Sequence, residues 1–178
     1  MQDAAGHDSD RQLCIMVMGP SGVGKTSISQ GIADALGAAF LEGDDYHPES
    51  NRKAMADGHP LTDEMRWPWL KALSVAVVDS AQSRATVFSC SALKRIYRDF
   101  LRDHIDGLEI VYLHADHDVI LQRMQAREHF MPPSMLESQL ATLEVPTDDE
   151  NAITLDTEHP VETSVRHALD DLKKRGKI

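Results

Sequence analysis

The chain is poor in cysteine, in aromatic residues and in positive charge, and it has no long apolar run. Cys14 and Cys90 are the only two cysteines among 178 residues, too few for a disulfide framework. Both sit in apolar, strand-like stretches and are expected as small core residues in a reducing compartment. No metal-ligand spacing surrounds them. No apolar run approaches the roughly 18 residues that a membrane-spanning helix needs, and no signal-peptide pattern is present, so a cytoplasmic location is expected. Lysine and arginine total 18 against 29 aspartates and glutamates, a formal net charge of −11. A field of that sign repels nucleic acid and anionic membranes, so neither is an expected partner. Any anionic ligand must be held by a local positive site. Internal repeats and low-complexity segments are also absent. The length suits one domain able to bury a core without disulfides, expected over residues 12–178 behind a polar, aperiodic, disordered tail at residues 1–11.

Against these absences stands one organised stretch, Gly19-Pro20-Ser21-Gly22-Val23-Gly24-Lys25-Thr26. It follows the apolar run Leu13–Met18 and precedes a helical pattern that carries to Leu36. The stretch matches G-x-x-x-x-G-K-[ST], the loop in which glycines let successive backbone N–H groups converge on phosphate oxygens at a helix N-terminus. Gly19, Ser21, Gly22, Val23, Gly24, Lys25, Thr26 and Ser27 are therefore the expected nucleotide-phosphate site. Lys25 would reach the β- and γ-phosphates, and the Thr26 hydroxyl would ligate Mg²⁺. The implied ligands are a nucleoside triphosphate, ATP, and Mg²⁺.

Short apolar, β-prone runs recur at Leu13–Met18, Ala39–Leu41, Thr86–Cys90, Glu109–Leu113 and Ala152–Leu155, the pattern of strands covered on both faces. Helical patterns lie between them: Leu70, Leu73 and Val77 share one face, and Val161, Val165, Leu169 and Leu172 another. Strand alternating with helix implies an α/β fold with a parallel sheet and right-handed crossovers. Gly37 can end the first helix, and Pro48 can open the next. Pro132, Pro133 and Pro146 break the chain after Arg127 into short pieces, fitting either a lid or an ordinary surface connection.

Four clusters carry candidate chemistry. The second strand runs into Glu42-Gly43-Asp44-Asp45-Tyr46-His47-Pro48, and ligands of open α/β sheets bind beyond the carboxyl ends of the strands. Asp44 is the preferred base for a substrate hydroxyl and a possible Mg²⁺ ligand; a helix N-cap would also use an acid here. His47 serves equally as a structural histidine or a substrate contact. Asn51, Arg52, Lys53, Asp63 and Arg66 suit either a polyhydroxylated acid or a solvated charged face. Lys94 and Arg98, spaced i, i+4, fit a carboxylate-holding pair or an exposed basic face. Arg123 and Arg127, four apart on a helix after the fourth strand, fit a phosphate clamp or a surface stripe.

These residues fall into an ordered series. Gly43-Asp44-Asp45-Tyr46-His47-Pro48-x-x-Asn51, then Met55, Gly58, Pro60-Leu61-Thr62-Asp63, Arg66 and Pro68-Trp69-Leu70 form its first half. Cys90-Ser91-Ala92-Leu93-Lys94 with Tyr97-Arg98-Asp99 comes next, and His129-Phe130-Met131-Pro132, Ser138-Gln139 and Leu143-Glu144 complete it. Over about residues 13–172 the series resembles the gluconokinases, ATP-dependent sugar-acid kinases related in fold to shikimate and adenylate kinases. The resemblance implies a P-loop NTPase fold with a five-stranded parallel sheet in the order 2-3-1-4-5, a small helical lid near residues 127–146, and a homodimer. It also implies phosphoryl transfer from ATP to the 6-hydroxyl of D-gluconate. Carried over, Asp44 and Lys25 with Arg123 and Arg127 are the catalytic positions, and His47, Asn51, Arg66, Lys94, Arg98 and His129 join Asp44 at the substrate. Ala54, Met65 and a missing glycine between Arg127 and His129 depart from the family pattern. No Walker-B aspartate follows Val87-Phe88. Kinases of the same fold acting on another sugar acid or a shikimate-like acceptor are the nearest alternative. A non-catalytic nucleotide-binding module is a second, although the chain lacks the N-K-x-D sequence that reads guanine.

Overall fold

The computed structural model describes residues 12–127 and 132–178. The tail expected at residues 1–11 and the expected substrate residue His129 lie outside them. Five strands, β1 (Cys14–Met18), β2 (Ala39–Glu42), β3 (Thr86–Cys90), β4 (Glu109–His114) and β5 (Ile153–Asp156), form one sheet in the order β2-β3-β1-β4-β5. All four pairings are parallel. Each strand lies within about a residue of the run that marks it in the sequence, because short continuous apolar runs leave little freedom over where a doubly covered strand can sit.

Side chains alternate across the central strand. Ile15 and Val17 enter one core layer with Ile28 and Ile32 of α1 (Lys25–Leu36), Ile120 of α5 (His117–Gln125) and Leu172 of α7 (Val161–Lys174). Cys14, Met16 and Met18 enter the other, with Leu70, Leu73 and Val77 of α3 (Asp63–Ala81) and Tyr97 and Leu101 of α4 (Arg95–His104). Burying each such large aliphatic side chain contributes about 1.5–3 kcal/mol. The two cysteines are free and buried, and burial raises both thiols, that of Cys90 to about 12, which disfavours the thiolate.

Local signals end the helices as the residue types require. Gly37 takes φ 62° after α1, and the Ala38 N–H returns to the Ala33 carbonyl at 2.9 Å. Pro48 precedes α2 (Glu49–Ala56), and the Thr62 hydroxyl accepts from the Met65 N–H at the start of α3. The expected face of α7 packs on the core through Val165, Leu169 and Leu172, and departs from expectation only at its first residue. Ser164, Ala168 and Leu172 are its buried residues, whereas Val161 is 40% exposed. α1 runs close by: the Val165 side chain sits against Gly31, where a Cβ would fall 2.6 Å from it.

The other departure concerns Lys94 and Arg98. Lys94 is the non-helical residue before α4, with φ −96° and ψ 150°, so the two do not share a helical face. Arg98 is fully buried: its Nε and Nη2 donate to the two Glu150 carboxylate oxygens at 2.6 and 2.7 Å. Its Nη1 donates to the carbonyls of Ala92 and Leu93 at 3.1 and 3.2 Å. Arg98, expected at the substrate, is instead engaged inside the core and lines neither of the clefts beside the phosphate loop. It holds the turn after β3, where Ala92 adopts φ 40°, a left-handed conformation costly for a residue with a Cβ. Burial pushes the Glu150 carboxyl up, but hydrogen bonds and charge from Arg98 outweigh it and leave it below the ordinary range.

Arg98→Met is expected to cost about 3–5 kcal/mol in urea unfolding by removing the buried partner of Glu150 and leaving its carboxylate to Arg102 and the Thr147 N–H. The double variant Arg98→Met, Glu150→Met should cost less than the sum of the two single changes. Because the Glu150 value is lowered on folding, the pair's contribution should be present above the ordinary glutamate pKa and be lost as pH falls through the lowered one.

Candidate active site

The phosphate loop occupies the turn between β1 and α1. Gly22 has φ 79°, and a Cβ there would lie 2.6 Å from Met124 Cγ, so no other residue keeps this backbone path. The turn directs main-chain N–H groups into a concavity capped by the free N–H groups of α1, an anion-binding arrangement. Lys25 folds over it, its Nζ donating to the Gly19 and Pro20 carbonyls at 3.1 and 2.9 Å. Burial pulls the Lys25 ammonium below its ordinary value, and Asp44 is the leading charge that opposes this. The Thr26 hydroxyl donates to Glu42 Oε2 at 2.6 Å, and the Ser89 hydroxyl donates to Glu42 Oε1.

Two clefts open from this loop. One, of about 350 Å³, contains Gly22, Val23, Gly24, Ser27, Arg123 and Arg127, together with Thr157 and His159. Arg123 is held there by the Val23 carbonyl at 3.3 Å and by the hydroxyl and carbonyl of Thr157. Arg127 lies just past α5 rather than on it, because the helix ends at Gln125. The expected i, i+4 pair thus reaches the same cleft from a helix and from the bend that follows.

The other cleft, of about 310 Å³, runs from Ser21 and Lys25 past Asp44 and His47 to Asp63, Arg66, Lys94 and Tyr97. Its carboxylate is placed by a crowded contact. A Cβ on Gly43 would fall 2.0 Å from the Ser89 carbonyl oxygen. Only glycine allows this approach, which lets the Gly43 N–H donate to Ser89 Oγ at 3.1 Å while its carbonyl accepts from Trp69 Nε1 at 2.8 Å. The 3₁₀ turn Gly43–Tyr46 is fixed at both edges, and Asp44 points into the cleft with 72% of its side-chain surface open. Partial enclosure by the cleft raises its carboxyl above the ordinary range, with Lys25 opposing and Glu42 adding to the rise.

His47 stacks on Trp69, ring centroids 4.0 Å apart at 17°. Asn51 does not line the cleft. Its amide donates to the Met65 carbonyl at 2.8 Å and faces His47 Nδ1 at 3.3 Å. An amide nitrogen can only donate, so Nδ1 accepts and the ring proton sits on Nε2, which lies 3.8 Å from Asp44 Oδ1. Burial, reinforced by Arg66 and Arg52, lowers the imidazole to about 4, so the ring is neutral at physiological pH.

Lys94 reaches the cleft, as expected, but as one half of an ion pair: its Nζ bonds the two Asp63 carboxylate oxygens at 2.9 and 3.2 Å. The Tyr97 hydroxyl donates to the same carboxylate. Residues 133–142 form α6 (Pro133–Thr142), whose Gln139 accepts from the Ser21 N–H at 2.7 Å and donates to Ser21 Oγ at 3.0 Å. The sequence does not single out Glu42, Tyr97 or Gln139: each lies inside a motif, but its partner is 16 to 118 residues away and no spacing reveals it.

The neutral His47 ring has a spectroscopic signature. In ¹⁵N-detected NMR its imidazole should titrate at about pH 4 and show the Nε2–H tautomer above that. Asn51→Ala should remove the tautomer preference; a ring titrating near 6.5 would contradict the burial described.

A family model described as an AAA domain matches residues 14–146. A probable gluconokinase of Schizosaccharomyces pombe is 40% identical, with 89% of this chain and 87% of that protein covered. A gluconokinase of Gluconobacter oxydans is 46% identical, covering 86% of this chain and 89% of its own. Among solved structures, a gluconokinase from Sinorhizobium meliloti superimposes with a TM-score of 0.83 at 45% identity, covering 92% of this chain and 93% of that one. With its five parallel strands, its phosphate loop and a charged cleft alongside, the chain belongs to the gluconokinase family.

Proposed function

We propose that this protein transfers the γ-phosphoryl group of ATP to the 6-hydroxyl of D-gluconate, giving 6-phosphogluconate. The observation that carries the reading is Asp44 at the junction of the phosphate loop and the second cleft, within the field of Lys25 and open to a bound hydroxyl. Asp44 orients the acceptor hydroxyl and takes its proton at a carboxylate oxygen. Lys25 and the loop N–H groups hold the donor phosphates, and Arg123 and Arg127 offset charge from the other side.

The residues at the loop mouth fit Mg²⁺. Thr26 Oγ1 and Glu42 Oε2, 2.6 Å apart, are hard oxygen donors. No described cluster of three or more His, Cys, Asp or Glu forms a full cage, which suits an ion that retains waters and phosphate oxygens as ligands. Thr26 and Glu42 would hold it, with Asp44 on the acceptor side, and it would neutralise charge on the phosphates.

The lid read over residues 127–146, of which 128–131 lie outside the described residues, would exclude water that competes as acceptor. The contacts between Gln139 and Ser21 and the bond from the Glu144 N–H to the Leu93 carbonyl at 2.8 Å support this. The family resemblance also carries a homodimer in the cytoplasm. No described helix is long and apolar enough to cross a membrane.

ATP consumption by the folded protein should be stimulated by D-gluconate and not by shikimate, nucleosides or other sugar acids at equal concentration. Stimulation by another member of that panel in place of gluconate would reassign the acceptor. Asp44→Asn should lower kcat by about 10²–10⁴-fold while ATP binding, followed by fluorescent-nucleotide displacement, persists. Near-normal turnover would remove Asp44 from the base role.

A further inference from the structure

Three side chains lining the acceptor cleft carry a permanent positive charge: Lys25, Lys94 and Arg66. Lys25 belongs to the phosphate loop and is spanned by its carbonyls. Lys94 is neutralised by Asp63, which Tyr97 also contacts. Arg98, the other basic residue of that turn, is consumed by Glu150 inside the core. Arg66 differs from all of these. Its guanidinium lies against the Tyr97 ring at 5.3 Å from the centroid, and its Nε is buried with no hydrogen-bond partner among the described residues. No described carboxylate comes within ion-pair distance of it.

A buried, unpartnered N–H on a guanidinium is costly, and a carboxylate presenting two oxygens in a plane satisfies it best. We propose that Arg66 is the anchor for the acceptor's carboxylate and that the Asp63–Lys94–Tyr97 cluster reads the hydroxyls of the acceptor chain. This assignment rests on the gluconate reading above and deepens it by giving the acceptor a direction. The carboxylate end lies at Arg66 and Tyr97, leaving the far hydroxyl to Asp44 and Lys25. Asp63 is what separates the two cationic positions. Hydrogen bonds from Tyr97 and then Lys94 hold its carboxyl below the ordinary range, so it stays ionised and would repel an acceptor carboxylate placed at Lys94. A hydroxyl there meets no such repulsion. It can donate to a free Asp63 lone pair and accept from a free Lys94 proton.

The two positions are separated by comparing D-gluconate with D-gluconamide, which keeps every hydroxyl and replaces the carboxylate with a neutral amide. The wild-type protein should prefer gluconate in kcat/KM by about 10- to 100-fold, the range of a charge-assisted hydrogen bond. Arg66→Gln should bring that ratio close to one, mainly through a higher KM for gluconate, with the KM for ATP unchanged. Lys94→Gln should weaken both acceptors together and preserve the ratio. An Arg66→Gln ratio at the wild-type level, or a ratio lost in Lys94→Gln instead, overturns the assignment. If Arg66→Gln does not fold, Arg66→Lys carries the same comparison: charge is kept and the planar fork is lost, so the ratio should fall, and an unchanged ratio counts against the anchor. A wild-type protein that turns over neither acceptor contradicts the gluconate reading itself, a result distinct from an unchanged ratio.

Discussion

The site depends on a contact that touches no ligand, the buried ion pair between Arg98 and Glu150. A guanidinium enclosed in protein must meet all its donors locally, and here it meets Glu150 on one side and the Ala92 and Leu93 carbonyls on the other. Those bonds hold Ala92 in a backbone conformation it would not otherwise adopt. The turn that results carries Lys94 out of the helix and toward Asp63. A buried pair of this kind contributes little net stability compared with apolar packing, but its directionality selects one arrangement of the turn.

A second constraint links the two halves of the site through β2 and β3. Glu42 faces the phosphate loop through Thr26, while the next residue, Gly43, presses against Ser89 and is capped by Trp69. The Trp69 ring in turn supports His47. Donor-side and acceptor-side carboxylates therefore sit two residues apart on one rigid strand end. The negative net charge of the chain sharpens the point, since anionic ligands are held only where cations are concentrated. At the acceptor cleft Lys94 is paired with Asp63 and Lys25 is held by loop carbonyls, which is why Arg66, with its buried Nε unpartnered among the described residues, stands out.

Much of the fold was legible because its signals are local. β1, β3 and β4 are apolar runs, Gly37 and Pro48 mark helix ends, and the glycines of the phosphate loop follow the spacing that cradling a phosphate requires. Spacing misled where it assumed a helix that does not extend far enough. Lys94 precedes α4 and Arg127 follows α5, so neither i, i+4 pair is a helical face. Val161, the first residue of α7, stays exposed while Val165, Leu169 and Leu172 pack on the core.

The sequence by itself determined the phosphate loop, the parallel sheet and the acidic turn at Asp44, since each follows from residue types adjacent in the chain. Tertiary structure alone decided what each charge faces. Arg98 meets Glu150 across 52 residues, Lys94 meets Asp63 across 31, and Gln139 meets Ser21 across 118. Whether a cation is spent or available depends on the three-dimensional distance to a counter-charge, and that distance is set by how the strands and helices pack.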